Sequence, residues 1–213
     1  MNECIKNGLQ SAYTQLSKGI PSLGLLPTDP LRVTSLGINQ GIGAVKLKLD
    51  FKDLDILNLH TTIITDLKYD PVNYSMNITL EAQKPIILQG LYKADGKVLI
   101  LPITGNGTCK FSLDDYKSFS YVQMKPKVKN GNTFLEIDNL SWKFTTSRLH
   151  MRLNNLFNGD KILGENMNLF LNENWTDLLN EMQPTFEEAL RAALIAIAQQ
   201  FFNRIPLNDI FTE

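Results

Sequence analysis

The stretch Ala189–Phe202, ALRAALIAIAQQFF, decides how this chain folds. Read as a helix it has almost no polar side: Arg191, Gln199 and Gln200 are its only polar residues. A helix that is apolar nearly all round must be covered nearly all round. Length excludes a bilayer as that cover. The uninterrupted apolar run, Ala192 to Ala198, falls far short of the roughly 20 residues that cross a membrane. The cover is therefore protein, or protein together with something apolar that the protein holds.

Outward from this stretch, helical character extends back to Asn174, whose side chain is expected to cap the helix with Asp177 as a capping-box partner. Pro184 kinks or restarts it, and Pro206 follows its end near Asn203. Taken as continuous, the helix has about 30 residues and a length of roughly 40 Å at about 1.5 Å per residue.

Further upstream the period changes to two. In AVKLKLDFKDLDILNLH, the residues Val45, Leu47, Leu49 and Phe51 alternate with Lys46, Lys48, Asp50 and Lys52, giving one dry face and one wet face. Similar runs recur at His60–Tyr69, Ser75–Ala82, Pro85–Lys93, Lys97–Thr104, Thr108–Ser112, Ser118–Lys127, Thr133–Ile137 and Leu140–Arg152. Turn signals separate several of them: Asp70-Pro71, Ala94-Asp95-Gly96, Gly105-Asn106-Gly107 and Asn130-Gly131-Asn132. Short loops between successive strands predict an up-and-down antiparallel sheet. After Asn154 the strand pattern ends, Asn158-Gly159-Asp160 reads as a turn, and Gly164–Asn172 reads as irregular or briefly helical.

Near the start, Ile5, Leu9, Ala12, Tyr13 and Leu16 place a short helix over Glu3–Ser17. The connector GIPSLGLLPTDP, residues 19–30, is too apolar to float freely and reads as an extended, strapped-down segment. A long sheet with one apolar face and a helix apolar on every side have one economical solution, in which the sheet curls around the helix. The expected fold is α+β: a long C-terminal helix wrapped by a highly curved antiparallel sheet, with a short N-terminal helix, in one domain spanning residues 1–213.

Three stretches carry a family resemblance: GIPSLGLLPTDPLRV near the start, GLYKADGKVLILPITGNGTC in the middle, and NNLFNGDKILGENMNLFLNENWTDLLNEMQP before the last helix. The third is the most specific, because the order LF-x-G, LG-x-x-MN and FLN-x-NW is hard to obtain from generic composition. The chain resembles the takeout and juvenile-hormone-binding protein family of insects over essentially its whole length, and the takeout branch more than the hormone carriers. The resemblance implies a long helix wrapped in a curved sheet, with an interior tunnel for a terpenoid hormone or another long-chain lipid. It also implies a secreted carrier and no catalytic residues. Family members usually carry an N-terminal disulfide; Cys4 matches its second cysteine, which places the expected partner before Met1. Cys109 does not match that pattern and reads as a buried free thiol, with a Cys4–Cys109 bridge left open.

Composition bounds the alternatives. The net charge of −1 over 213 residues argues against a nucleic-acid partner and against electrostatic attachment to anionic membranes. Two histidines, His60 and His150, and two cysteines are too few for a structural zinc site of the usual kind. The residues after Met1 do not form a signal peptide, yet sequons stand at Asn73, Asn77, Asn106, Asn139 and Asn174, a mild excess for so Asn-rich a chain. No G-x-S-x-G, H-E-x-x-H or phosphate-binding glycine loop is present, and GINQGIG lacks the spacing of one. An esterase would have to be built on His150, in the alternating strand TSRLHMRL.

The expected lining of the tunnel is Leu178, Leu179, Met182, Phe186, Leu190, Ala193, Leu194 and Ile197 on the helix. On the strands it is Val45, Leu47, Leu49, Phe51, Trp142 and Phe144. The small residues Ala189, Ala192, Ala193, Ala196 and Ala198 are expected to leave room for a ligand. Polar groups that could read one end of the ligand are Tyr69, Tyr92, Tyr121 and Gln199. The function read from the sequence is a secreted, monomeric carrier of an apolar small molecule, with no metal, cofactor, reaction or membrane insertion. An interaction module with a solid core and a lipid esterase are the competing readings.

Overall fold

The alternation in the sequence is realised most cleanly in the strand Val45–Leu57, where Val45, Leu47, Leu49 and Phe51 are buried and the charged residues between them are exposed. In this computed structural model residues 2–21, 27–41, 43 and 45–210 are described, and the side chains of residues 197, 209 and 210 lie outside the description. Part of the expected connector, residues 22–26, is likewise outside it. In chain order the elements are α1 (Asn2–Lys18), β1 (Leu31–Gln40), β2 (Val45–Leu57), β3 (Thr62–Asp70), β4 (Ser75–Ala82), β5 (Ile86–Val98) and β6 (Leu101–Asp114). They continue with β7 (Lys117–Lys129), β8 (Asn132–Thr145), β9 (Arg148–Leu153), α2 (Lys161–Glu173), α3 (Trp175–Phe202) and α4 (Leu207–Ile210).

The strands form a five-stranded array, β1-β2-β5-β6-β9, and a four-stranded array, β3-β4-β7-β8, antiparallel throughout. The chain changes array after every hairpin, so the expected up-and-down order is corrected to an interleaved one. Every crossing passes through a single waist. There the arrays are joined by backbone bonds from Gln83 N to Thr61 O (3.1 Å), Ala82 N to Tyr116 O (2.9 Å) and Ser147 N to Asp114 O (3.0 Å). The strands thus run on from one array into the other, and the whole makes the curved antiparallel wrap.

An open sheet edge exposes unpaired N–H and C=O groups, which invite pairing with other chains. Here helices cap the edges with side-chain amides. On β3, Gln10 of α1 accepts from Ile64 N at 2.7 Å and donates to Thr62 O at 3.3 Å. On β9, Asn168 and Asn172 of α2 do the same: Leu153 N to Asn168 Oδ1 is 2.8 Å and Met151 N to Asn172 Oδ1 is 2.9 Å. Their Nδ2 groups return bonds to Leu153 O and Met151 O, at 2.9 and 2.7 Å. The two residues are one helical turn apart and meet alternate residues of the strand, so α2 acts as the missing neighbour strand. On β8, α3 supplies Gln183 to Phe144 O (2.6 Å) and Gln199 to Ile137 N and Leu135 O (2.7 and 3.1 Å).

The opening stretch is explained by a change of side along α3. Leu178 is buried, while Ala196, eighteen residues on, is exposed; Pro184 is exposed, while Phe202, again eighteen residues on, is buried. Eighteen residues are about five turns at about 3.6 residues each, so each pair points the same way. The first half of the helix lays one face on the five-stranded array, where Leu178 and Leu190 join the main core. The end lays nearly the opposite face on the four-stranded array, where Phe202 joins a second cluster with Ile64, Leu67, Met76, Met124 and Leu135. A helix that changes its buried side has no room for a continuous polar stripe. Pro184 does not break it: the helix is continuous, and the proline stands on the wet side, where water solvates the carbonyl it leaves unpaired.

Several local expectations are corrected. Strand β1 was not foreseen, because its buried Val33, Leu36 and Ile38 fall out of period, opposite the point near Asp53 (φ 50°) where β2 shifts register against β5. Residues 161–173 are a full helix, capped by Asp160, whose side chain accepts from Leu163 N at 3.0 Å. Asn174 makes no cap bond for α3; its amide donates backward to Phe170 O at 2.8 Å. The glycine-rich segments 94–96 and 105–107 are not turns but opposite each other in the β5–β6 ladder, with Ala94 facing Gly105 and Gly96 facing Ile103. The chain reverses instead at Leu99-Ile100. These glycines mark close backbone approach. A Cβ on Gly96 (φ 148°) would lie 2.2 Å from Lys46 O, and one on Gly107 would lie 2.4 Å from Asn154 O. Gly96→Ala is therefore expected to cost more than about 2 kcal/mol, through a backbone shift of β2 against β5. Urea unfolding measures it, and a loss below about 0.5 kcal/mol would show that this crossing has slack.

Candidate functional site

The expected lining residues divide by depth. Val45, Leu47, Leu49 and Phe51 are sealed in the main core with Phe144, Leu178 and Leu190. Leu179, Met182, Phe186 and Trp142 pack against that core but keep accessible surface, as do Phe111, Leu149 and Met151, which the sequence reading did not single out. Ala193 and Leu194 are half-buried, and the side chain of Ile197 lies outside the described residues. Ala192 and Ala196 are corrected: both are exposed, on a stripe that continues through Gln200 and Asn203. The helix therefore presents Leu179, Met182, Phe186 and Ala189 to the five-stranded side, while Ala196 faces water. Aromatic rings fix much of this surface, with Phe51 edge-on to Phe111 and Phe186 at centroid distances of 5.9 and 6.5 Å.

The polar residues chosen from sequence are mostly structural. Tyr92 donates to Asn154 O at 2.9 Å, and burial pushes its hydroxyl up to about 12. Tyr121 is exposed and bonds Gln123 at 2.8 Å. Gln199 caps the edge of β8. Tyr69 is half-buried against the second cluster.

The polar groups that do converge on the interior lie at the waist and were missed. Tyr116, in the β6–β7 turn, packs on the main core and stacks on Phe144 at 5.9 Å, with Trp142 stacked on the same ring at 5.5 Å. Burial pushes the Tyr116 hydroxyl up to about 12, while the neighbouring Ser118 and Trp142 side chains pull it the other way by hydrogen bonding. Tyr13 of α1 lies near Tyr116, donating to Leu59 O at 3.0 Å beside the buried Thr62. Glu187 closes the group from α3, accepting from Gln183 Nε2 at 2.7 Å and from Phe144 N at 3.3 Å. No motif announces these residues, because they come from separate elements far apart along the chain.

The thiols are unpaired. Cys4 is exposed on α1, and Cys109 is buried in the main core, where loss of water raises its pKa to about 11. His150 bonds Asp114 Oδ2 at 3.1 Å on the exposed face of β9, and among the described residues no hydroxyl hydrogen-bonds to it. Among the described residues no group of three or more His, Cys, Asp or Glu could hold a metal ion, and no helix is long and apolar enough to cross a membrane.

Comparison with known proteins agrees with this architecture. The chain is similar to the circadian clock-controlled protein daywake of Drosophila melanogaster, at 28% identity over 98% of this chain and 83% of that protein. It is similar to a putative beta-carotene-binding protein of Schistocerca gregaria, at 23% identity over 97% of this chain and 82% of that protein. The crystal structure of Epiphyas postvittana Takeout 1 superposes with a TM-score of 0.87 at 24% identity, covering 100% of this chain and 96% of that one, and so shares the fold. The family model described as haemolymph juvenile hormone binding protein matches residues 1–212, and the chain belongs to that family.

Proposed function

We propose that this protein is a single-domain, secreted, monomeric carrier that holds an apolar small molecule between α3 and the wrapped sheet and transports or sequesters it without chemical change. One observation carries the reading. Leu179, Met182 and Phe186 on the helix, and Phe111, Trp142, Leu149 and Met151 on the strands, pack against the main core yet retain accessible surface. Apolar groups turned to a core normally lose that surface, since interiors pack to a density of about 0.74. Surface retained there is surface a ligand can cover. Family membership and the carotenoid named for the locust relative support the same class of ligand.

The energetics suit lipids. Each buried CH₂ contributes roughly 0.8 kcal/mol, so a chain of about a dozen carbons binds tightly with no polar contact at all. Native mass spectrometry of the purified protein, followed by solvent extraction, tests the proposal. A stoichiometric apolar molecule, or stoichiometric uptake of an added terpenoid or long-chain lipid, is the expected result. A protein that emerges ligand-free and takes up neither would be a solid-cored interaction module instead.

A further inference from the structure

We infer that Asn77 carries an N-linked glycan, and that Tyr121 and Phe119 on the neighbouring strand form the platform on which its first sugar lies. The inference rests on the secreted part of the reading above, because the sugar is attached only in the lumen of the secretory pathway. It goes beyond the carrier in giving the outer face of the four-stranded array an occupant.

The fold treats the sequons differently. Asn174 is half-buried and its amide donates to Phe170 O at 2.8 Å, so a sugar there would disturb the α2–α3 junction. In the sequon of Asn106, Thr108 Oγ1 accepts from Asn154 Nδ2 at 2.8 Å, and the backbone of Asn154 crowds Gly107. Asn73 holds the β3–β4 turn, its amide donating to Asp70 Oδ2 at 2.7 Å. Asn77 and Asn139 are exposed, and among the described residues neither side-chain amide makes a hydrogen bond. What separates these two is the neighbour. Asn139 lies opposite Gln123, whereas Asn77 lies directly opposite Tyr121, and Thr79 of the same sequon directly opposite Phe119.

The rings are the independent observation. Met76 and Ile78 turn inward to the second cluster, which puts Asn77 and Thr79 on the outer face of β4. On the same face of β7, Phe119 is 44% exposed and Tyr121 38%. Both are held in place: Tyr121 donates to Gln123 Oε1 at 2.8 Å, and the Lys117 ammonium, paired with Glu81, stands 5.7 Å from the centre of the Phe119 ring. One exposed apolar residue is ordinary, but two fixed rings side by side make a patch that a partner covers. Directly opposite positions bring Cβ atoms to about 5 Å, so a sugar one bond beyond the Asn77 amide reaches the rings. An N-acetylglucosamine ring has one face made of C–H bonds. It packs that face on an aromatic ring and keeps its hydroxyls in water. In the attachment, Asn77 Nδ2 attacks the anomeric carbon of a dolichyl-pyrophosphate-linked oligosaccharide. The N–C bond forms, and the C–O bond to the pyrophosphate breaks and leaves its electron pair on dolichyl pyrophosphate. One amide proton passes to solvent.

The test expresses the full-length protein in insect cells, with a mannosidase inhibitor to keep the glycans uniform. Peptide:N-glycanase digestion in heavy-oxygen water turns each glycan-bearing Asn into a labelled Asp, and peptide fragmentation by mass spectrometry should find the label at Asn77. An endoglycosidase that leaves a single N-acetylglucosamine should preserve the thermal midpoint. Complete removal should lower it by about 2–4 °C, the worth of one aromatic contact in a domain of this size. A variant combining Phe119→Thr and Tyr121→Thr should keep the label and lose the difference between trimmed and stripped forms. The charge created at Asn77 by stripping is the same in both proteins, so it cancels. Secreted protein with no label at Asn77 overturns the site and leaves the carrier standing, since lipid uptake is measured separately. A labelled Asn77 whose trimmed and stripped forms melt together, or whose difference survives loss of both rings, overturns the platform. Protein that stays in the cytosol overturns the secreted reading and the site with it.

Discussion

Asn168→Asp is expected to cost about 3–5 kcal/mol, through the loss of two buried hydrogen bonds and the burial of an unpaired charge. Asn168 is 5% exposed, and its amide works in both directions. Oδ1 accepts from Leu153 N at 2.8 Å, while Nδ2 donates to Leu153 O at 2.9 Å and to Gly164 O at 3.0 Å. A carboxylate preserves the first bond and turns the other two into oxygen facing oxygen. The substituted carboxyl escapes only by holding a proton, so its pKa in the folded state is raised above the unfolded value. Stability from such a group is present below the unfolded carboxylate range, near about 4, and is lost as pH rises through the folded value. The deficit should therefore be smaller at acid pH than at pH about 8. Asn172→Asp disturbs a half-buried site and should cost less. Urea midpoints at the two pH values decide the matter. A pH-independent loss within about 0.5 kcal/mol of zero would mean that the edge of β9 is closed by water rather than by this amide.

The same two asparagines show what the sequence could and could not tell. Asn168 and Asn172 are the Asn of LG-x-x-MN and of FLN-x-NW, so the most specific stretch of the resemblance coincides with the edge cap of β9. The pattern was visible, but its reason was not. Asparagine at helical spacing says nothing about a strand approaching from elsewhere in the chain, and it lowered the helical reading of 161–173. Glycine misled in a related way. A glycine that makes a turn and one that lets two backbones nearly touch are the same letter, so Gly96 and Gly105 were read as chain reversals. What survived intact was periodicity: two for β2, helical for α1 and α3. Periodicity reports which face is dry, and the wrap followed from it. It cannot report which dry residues are sealed and which keep surface, so Val45 and Phe186 looked equivalent. One is completely buried and the other half-buried. The waist cluster was invisible because Tyr13, Thr62, Tyr116, Trp142 and Glu187 meet only after the chain has crossed between arrays.

Ala193→Phe separates a carrier from a solid core, and Ala196→Phe is its control. Ala193 lies two turns beyond Phe186, close to the same side of α3, and is half-buried. A benzyl group there displaces at least two methylenes' worth of ligand, about 1.6 kcal/mol, so affinity for N-phenyl-1-naphthylamine or a long-chain ketone should fall more than about tenfold. Ala196 stands on the exposed stripe with Gln200, and its replacement by Phe should leave binding within about twofold, a difference of about 0.4 kcal/mol. The two substitutions add the same atoms to the same helix, so propensity and bulk hydrophobicity cancel in the comparison. What remains is whether there is space beside Ala193. Where space exists, the ring fills it, the protein keeps its thermal midpoint and the ligand loses. Where the interior is already close-packed, the ring has nowhere to go. Overpacking then costs about 1–3 kcal/mol of stability, and a lowered midpoint with unchanged binding is the signature of a protein that never held its ligand there.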